Sequence, residues 1–132
     1  MGVYRSIRPV GPLDKPEESL GHATETLVAQ HLRAWLAYSE KSGKLYFWRT
    51  KSGLEVDFIV YGEIGFYAIE VKNARKIHSQ DLRGLQEFSK DYPQCQCLFI
   101  YRGAEKLVKG NILCYPLGDF LLQLVPDKPI FP

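Results

Sequence analysis

The segment SGLEVDFIVYGEIGFYAIEVKN, residues 52–73, constrains the fold more than any other part of the chain. It contains two apolar runs, Glu55–Tyr61 and Phe66–Val71, separated by the glycine-bounded turn Gly62–Gly65. Short apolar runs punctuated by glycine are typical of strands joined in a hairpin. A third run, Leu45–Arg49, precedes them. We therefore predict an antiparallel meander of three strands.

The rest of the chain supplies two helices, two further strands and a short helical end. The predicted elements are a helix over Leu20–Glu40 with Ser19 as its N-cap, a helix over Ser79–Asp91, strands over Cys97–Tyr101 and Ile112–Tyr115, and one or two helical turns over Phe120–Val125. The order α-β-β-β-α-β indicates an α/β protein, because a β-α-β stretch can place its strands parallel through a crossover. We expect a central mixed sheet flanked by helices.

Composition limits the class of protein. A chain of 132 residues with 45% hydrophobic and 24% charged residues is ordinary for one globular domain. No apolar run approaches the roughly 20 residues that span a bilayer, so we expect no membrane partner. The net charge of +2 is compatible with nucleic acid but does not establish it.

The three cysteines bear on metal binding and on the compartment. Cys95, Cys97 and Cys114 are an odd number in a chain without an export signal, which favours reduced thiols and a cytoplasmic location. A structural zinc site normally needs four ligands, and the fourth is not visible in the sequence. We expect buried free thiols.

Three charged residues inside the strand-like runs call for an explanation, because buried charges are costly unless they are paired or bound to a metal. Glu70 and Lys72 are two residues apart on one strand and so share a face. Twelve residues separate Asp57 from Glu70, enough for a hairpin to return. Glu25 lies at the edge of the first helix's apolar stripe and could join them. That stripe consists of Leu20, Leu27, Val28, His31, Leu32 and Trp35.

Such a group suits a Mg²⁺ or Mn²⁺ site. Mg²⁺ prefers one or two carboxylates, completed by water and phosphate oxygens. Glu25, Asp57 and Glu70 are the candidate metal ligands, and Lys72 could orient a water or stabilise transition-state charge. These four are our candidate catalytic residues. The alternative for Asp57, Glu70 and Lys72 is a cross-strand ion pair, and the residues alone leave it open.

Basic residues flank these positions in sequence. Arg49, Lys51, Arg75, Lys76 and Arg83 are candidate nucleic-acid contacts through phosphate, although each could equally be a solvated surface charge. Glu55 is expected to be solvated or paired with Lys51.

The pattern Glu25…Asp57…Glu70-Val71-Lys72 resembles the PD-(D/E)xK nuclease superfamily, the restriction-endonuclease-like fold. More narrowly, YFWRTKSGLEVDFIV together with AIEVKNARKIHSQDLRGLQEF resembles the uncharacterised domain at the C-terminus of many prokaryotic AAA+ ATPases. The likeness extends from about Leu20 to Arg102. It implies an αβββαβ core with Asp57, Glu70 and Lys72 at the catalytic motif and Glu25 as the acidic residue of the first helix.

The resemblance also gives expectations for function and partners. It implies Mg²⁺-dependent hydrolysis of phosphodiesters, in DNA before RNA, with the product carrying a 5′-phosphate. The chain has no G-x-x-x-x-G-K-[ST] loop, so residues 1–19 are expected to be a linker or the truncated end of a preceding ATPase module, and residues 20–132 the nuclease-like domain. The alternative is an inactive module that binds nucleic acid or protein and regulates an ATPase. A homo-oligomer stays open.

Overall fold

A computed structural model describes the backbone of residues 16–130 and their side chains from residue 21 onward. It contains three α-helices, six strands and a short 3₁₀ helix in that range. They are α1 (Pro16–Tyr38), β1 (Lys44–Arg49), β2 (Glu55–Gly62), β3 (Gly65–Val71), the 3₁₀ helix (Ser79–Leu82), α2 (Arg83–Asp91), β4 (Gln96–Tyr101), β5 (Leu107–Lys109), β6 (Ile112–Pro116) and α3 (Leu117–Leu122).

All six strands form one mixed sheet in the order β1-β2-β3-β4-β6-β5. The first three strands pair antiparallel, as the glycine-bounded turns predict. β4 lies parallel to β3 after the crossover through α2, and β6 lies parallel to β4. The predicted α/β class, with a mixed sheet flanked by helices in the order αβββαβ, is confirmed.

Several predicted boundaries are wrong. α1 begins at Pro16 rather than Leu20, so Ser19 is not its N-cap. Proline is favourable in the first helical turn, because backbone N–H groups there have no acceptor within the helix and the N–H that proline lacks is not needed. Residues 16–19, expected as linker, therefore belong to this helix, while the expectation for residues 1–15 lies outside the described residues. The last helix is displaced to Leu117–Leu122. Strand β5 was not predicted, because it has only three residues.

The sheet separates two hydrophobic cores. On one face, α1 and α3 cover β2, β3 and β4, with Val28, Leu32 and Trp35 of α1 fully or almost fully buried. Two members of the predicted stripe, Leu27 and His31, are instead exposed, because the buried stripe passes through Thr24 and Ala29. The side chain of Leu20 lies outside the described residues.

The second core lies under α2. The predicted buried side of this segment is confirmed: Leu82, Leu85 and Phe88 are at most 4% exposed. Gly84 lets the helix approach the sheet, since a Cβ there would lie 2.2 Å from the carbonyl oxygen of Glu55. α2 is thereby fixed against the strand that carries Asp57.

The three cysteines are buried and free, as predicted. They lie together in the core under α2. In the described part of the chain, no helix combines the length and apolarity needed to cross a membrane.

Candidate functional site

Strands β2 and β3 diverge at one end, and this fork is the centre of the candidate site. Their pairing is regular from Gly62 and Gly65 to Phe58 and Ile69. Beyond that pair, β2 continues against β1 and β3 continues against β4. β2 also has an irregular register there, since three residue steps on β2 match two on β1. Such bulges redirect side chains and are frequent beside active sites.

Asp57 and Glu70 bridge the fork through reciprocal hydrogen bonds. The backbone N–H of Asp57 donates to Glu70 Oε1 at 3.0 Å. The backbone N–H of Val71 donates to Asp57 Oδ2, also at 3.0 Å. Carboxylate oxygens thus take the place of carbonyl acceptors where the two strands separate. The predicted proximity of Asp57 and Glu70 is confirmed.

Burial makes this carboxyl pair electrostatically unusual. Asp57 is only 5% exposed, although it is an acidic residue. Desolvation, followed by the negative charge of Asp57, raises the pKa of Glu70 from 4.5 to about 10. A hydrogen bond between the two side chains contributes to this rise, and the hydrogen bond from the backbone of Asp57 opposes it. Glu70 therefore keeps its proton at neutral pH.

Lys72 reaches a partner that the sequence analysis did not assign to it. Its Nζ lies 2.6 Å from Asp81 Oδ1, and the Asp81 side chain is only 3% exposed. The other Asp81 oxygen accepts the backbone N–H of His78 at 2.9 Å. Burial opposes ionisation of Asp81, but the hydrogen bonds from Lys72 and His78 outweigh it and lower its pKa. Asp81 fixes the position of the lysine.

The sequence places Asp81 in the first turn of the helix predicted over Ser79–Asp91, where an acidic residue is favourable. Its position three residues after His78 matches the spacing at which an acidic side chain accepts the N–H that precedes a helix. The loop between Lys72 and the 3₁₀ helix is short, so an acidic residue in this first turn can also contact the lysine. The spacing of His78 and Asp81 is therefore the sequence feature that could have indicated the role of Asp81.

The position of Glu25 is set by α1, the helix that packs on one face of the sheet. It is half-buried on α1, which packs over Ile69 and Val71. Trp35 contacts Tyr67 near the start of β3, with ring centroids 6.3 Å apart. Ten residues earlier along the helix, or about 15 Å, Glu25 lies toward the fork end of the sheet. Strand alternation directs Glu70 to the face opposite Ile69 and Val71.

A two-carboxylate centre still fits the donor set that Mg²⁺ uses. The described residues contain no group of three or more His, Cys, Asp or Glu side chains arranged to hold a metal ion. Glu25 is thus not gathered with Asp57 and Glu70, and its role as a ligand stays a prediction. One or two carboxylates, with water and phosphate oxygens, satisfy Mg²⁺. The Asp57–Glu70 pair meets that requirement.

The candidate phosphate contacts lie at several places. Arg49 is paired with Glu55 at 3.0 Å, which corrects the expected pairing of Glu55 with Lys51. Lys51 is exposed in the turn between β1 and β2, and Arg83 is exposed at the start of α2. Arg75 and Lys76 are exposed in the loop that follows Lys72. Their roles in binding stay predictions.

Together, the fold and the site define an α/β domain with a largely buried carboxyl pair at a sheet fork. The family model described as "Domain of unknown function (DUF4143)" matches residues 20–120, and the chain belongs to this family. The family is commonly found as a C-terminal region of AAA-type ATPases, which agrees with the narrower of the two resemblances. No curated protein matches the chain.

Proposed function

We propose that this domain is a Mg²⁺-dependent phosphodiesterase module that acts on DNA. The observation that carries the proposal is the reciprocal pairing of Asp57 and Glu70 at the fork between β2 and β3. A buried carboxyl pair that retains a proton at neutral pH is poorly suited to stabilising the fold by itself. It is well suited to a divalent cation, which would compensate both charges.

Asp57 and Glu70 would hold the metal, and Glu25 is the further ligand that the PD-(D/E)xK resemblance implies. When bound, the metal would polarise the scissile phosphate and lower the pKa of an attacking water. Asp57, kept in place by the N–H of Val71, presents its carboxylate in the fork. Glu70 must release its proton for both carboxyl groups to bind as anions.

Lys72 would stabilise the charge that grows on the phosphate. It follows Glu70 by two residues and therefore extends on the same side of β3. Asp81 restrains its ammonium group at 2.6 Å. Because the Lys72 side chain is 47% exposed, its ammonium can also reach a phosphate that approaches from solvent.

The test is incubation of the protein with supercoiled plasmid and Mg²⁺ or Mn²⁺. We expect nicking that Asp57→Asn and Lys72→Ala abolish and that Glu40→Gln, which changes an exposed carboxylate, leaves unchanged. The products should carry 5′-phosphates, as the superfamily resemblance implies. Nicking that is absent, or is equal in all four proteins, would contradict the proposal.

A second candidate function is a regulatory binding module of an ATPase with no cleavage activity. The Lys72–Asp81 pair favours it, because a lysine occupied by a buried carboxylate can serve a structural role alone. In that case DNA or protein binding would survive Asp57→Asn, and calorimetry would detect no metal uptake. The association of the family with ATPases supports a partnership of this domain with an ATPase module under either function.

A further inference from the structure

A groove extends along the outer strand β5 on the side of the sheet that α2 covers. It consists of two adjoining hollows of about 410 Å³ and 330 Å³, and Ile77 and Lys109 line both of them. One wall is the loop after β3 together with the start of α2. The other wall is the β5–β6 hairpin and the segment that leads into it, residues 103–111.

The floor of the groove is apolar and its rim is cationic. The half-buried Ile77 and Leu107 supply the accessible apolar surface, whereas Leu82 and Tyr101, which also line the groove, are each only 4% exposed. Exposed amide side chains accompany them at Gln86 and Asn111. A surface of this kind offers contacts to the faces of bases and hydrogen bonds to their edges.

Among the described residues that line the groove, three are cations and one is a carboxylate. Arg75, Lys76 and Lys109 are exposed, and Glu105 is the acidic residue among the lining groups. Within the described range, none of these three cations forms an ion pair. The excess of two positive charges is therefore available to an anionic partner, and a phosphate backbone is complementary to it.

The residues that follow Lys72 in sequence connect the candidate metal site to the groove. Arg75 and Lys76 follow Lys72 closely in the loop that leaves β3, and this loop bonds to the end of β4 through Arg102 N–H and the carbonyl of Ala74. Leu82, on the groove floor, directly follows Asp81, the partner of Lys72. The groove is thus connected to the candidate metal site by a short stretch of chain that begins at Lys72.

From these features we propose that the groove binds an unpaired nucleic-acid strand. This inference rests on the proposed function, whose substrate form it specifies. A duplex presents its backbone outward and needs only cationic contacts, whereas an unpaired strand also exposes bases that gain from an apolar floor. Lys109 and Asn111 are polar groove residues that the candidate contacts from sequence did not include.

The experiment is fluorescence anisotropy of a short labelled oligonucleotide in EDTA, where no divalent cation is available for cleavage. The single strand should bind more tightly than a duplex of the same sequence. Lys76→Glu and Lys109→Glu should each weaken single-strand binding at 0.1 M salt about fivefold or more, and each should reduce the salt slope by about 0.7. Lys44→Glu, an exposed change on the opposite outer strand β1, is the matched control and should have little effect.

The inference would be overturned if Lys109→Glu and Lys44→Glu lost the same amount of affinity for the single strand, or if the duplex bound more tightly than the single strand. Lys109→Gln repeats the test with a milder change, should the charge reversal disturb the hairpin. A protein that binds through this groove but never cuts would contradict only the proposed function. A protein that cuts but is unaffected by the rim variants would contradict only the groove.

Discussion

Asp57 and Glu70 hold each other at the fork of the sheet: the backbone N–H of Asp57 donates to the Glu70 side chain, and the two carboxyl groups share a buried site. Edge ion pairs, the alternative explanation from sequence, place opposite charges together. This pair places two acids together, and an acid pair is costly without a proton or a cation between them.

Glu70→Gln should change how stability depends on pH. The folded state raises the pKa of Glu70 to about 10, so it binds a proton more tightly than the unfolded state between pH 4.5 and 10. Wild-type stability should therefore fall as pH rises through that window, by at most about 1.4 kcal/mol per pH unit. Glutamine keeps an oxygen for the N–H of Asp57 but cannot ionise, so the variant should become the more stable protein at pH 8.

The measurement is urea unfolding in EDTA at pH 5.5 and at pH 8, with Glu40→Gln as the control for loss of an exposed carboxylate. The control should follow the wild type at both values. If the free energy of unfolding of Glu70→Gln changed with pH in the same way as that of the wild type, the assignment of a buried proton to Glu70 would be contradicted.

Lys72→Ala should raise the pKa of Asp81. The Asp81 side chain is nearly buried, and the hydrogen bond from Lys72 is what keeps the pKa low against desolvation. Removal of the ammonium group leaves His78, whose backbone N–H donates to the carboxylate, to stabilise it. Carboxyl carbon chemical shifts followed against pH would measure the change. Lys90→Ala, which removes the partner of Glu87, should leave the titration of Asp81 unaffected.

Gly84→Ala should destabilise the protein by about 1–3 kcal/mol, a typical cost of overpacking. The added methyl group would meet the Glu55 carbonyl oxygen at 2.2 Å, and backbone atoms cannot rotate away. Gly21→Ala is the matched control, because at this position in α1 no atom of the described residues lies within 4 Å of the new Cβ. There the better helix propensity of alanine should add up to about 1 kcal/mol. Equal stability of the two variants, by thermal unfolding, would contradict the close approach of α2 to β2.

The meander and the α/β class were predictable because glycine turns and apolar runs are local signals. The pairing of Asp57 with Glu70 was also predictable, since a hairpin of that length returns the second strand beside the first. Asp81 as the partner of Lys72 was not predicted, because it depends on how the 3₁₀ helix sits against the end of β3. Likewise, the exposure of Leu27 and His31 follows from the angle at which α1 packs on the sheet, which periodicity alone does not determine.

The groove beside β5 depends on an element that sequence reasoning missed. Strand β5 has only three residues and lies between polar segments, so its apolar pattern is too short to predict a strand. The β5–β6 hairpin lies opposite the loop after β3 because of its register, in which Leu107 pairs with Cys114 and Lys109 pairs with Ile112. Lys109 gains its proposed role from that tertiary arrangement.

The most direct test of a metal held by Asp57 and Glu70 is calorimetric titration of the protein with Mn²⁺. We predict uptake of one ion per chain by the wild type and by Glu40→Gln, with uptake lost or strongly weakened in Asp57→Asn. No uptake by the wild type, or the same uptake in Asp57→Asn, would contradict the account.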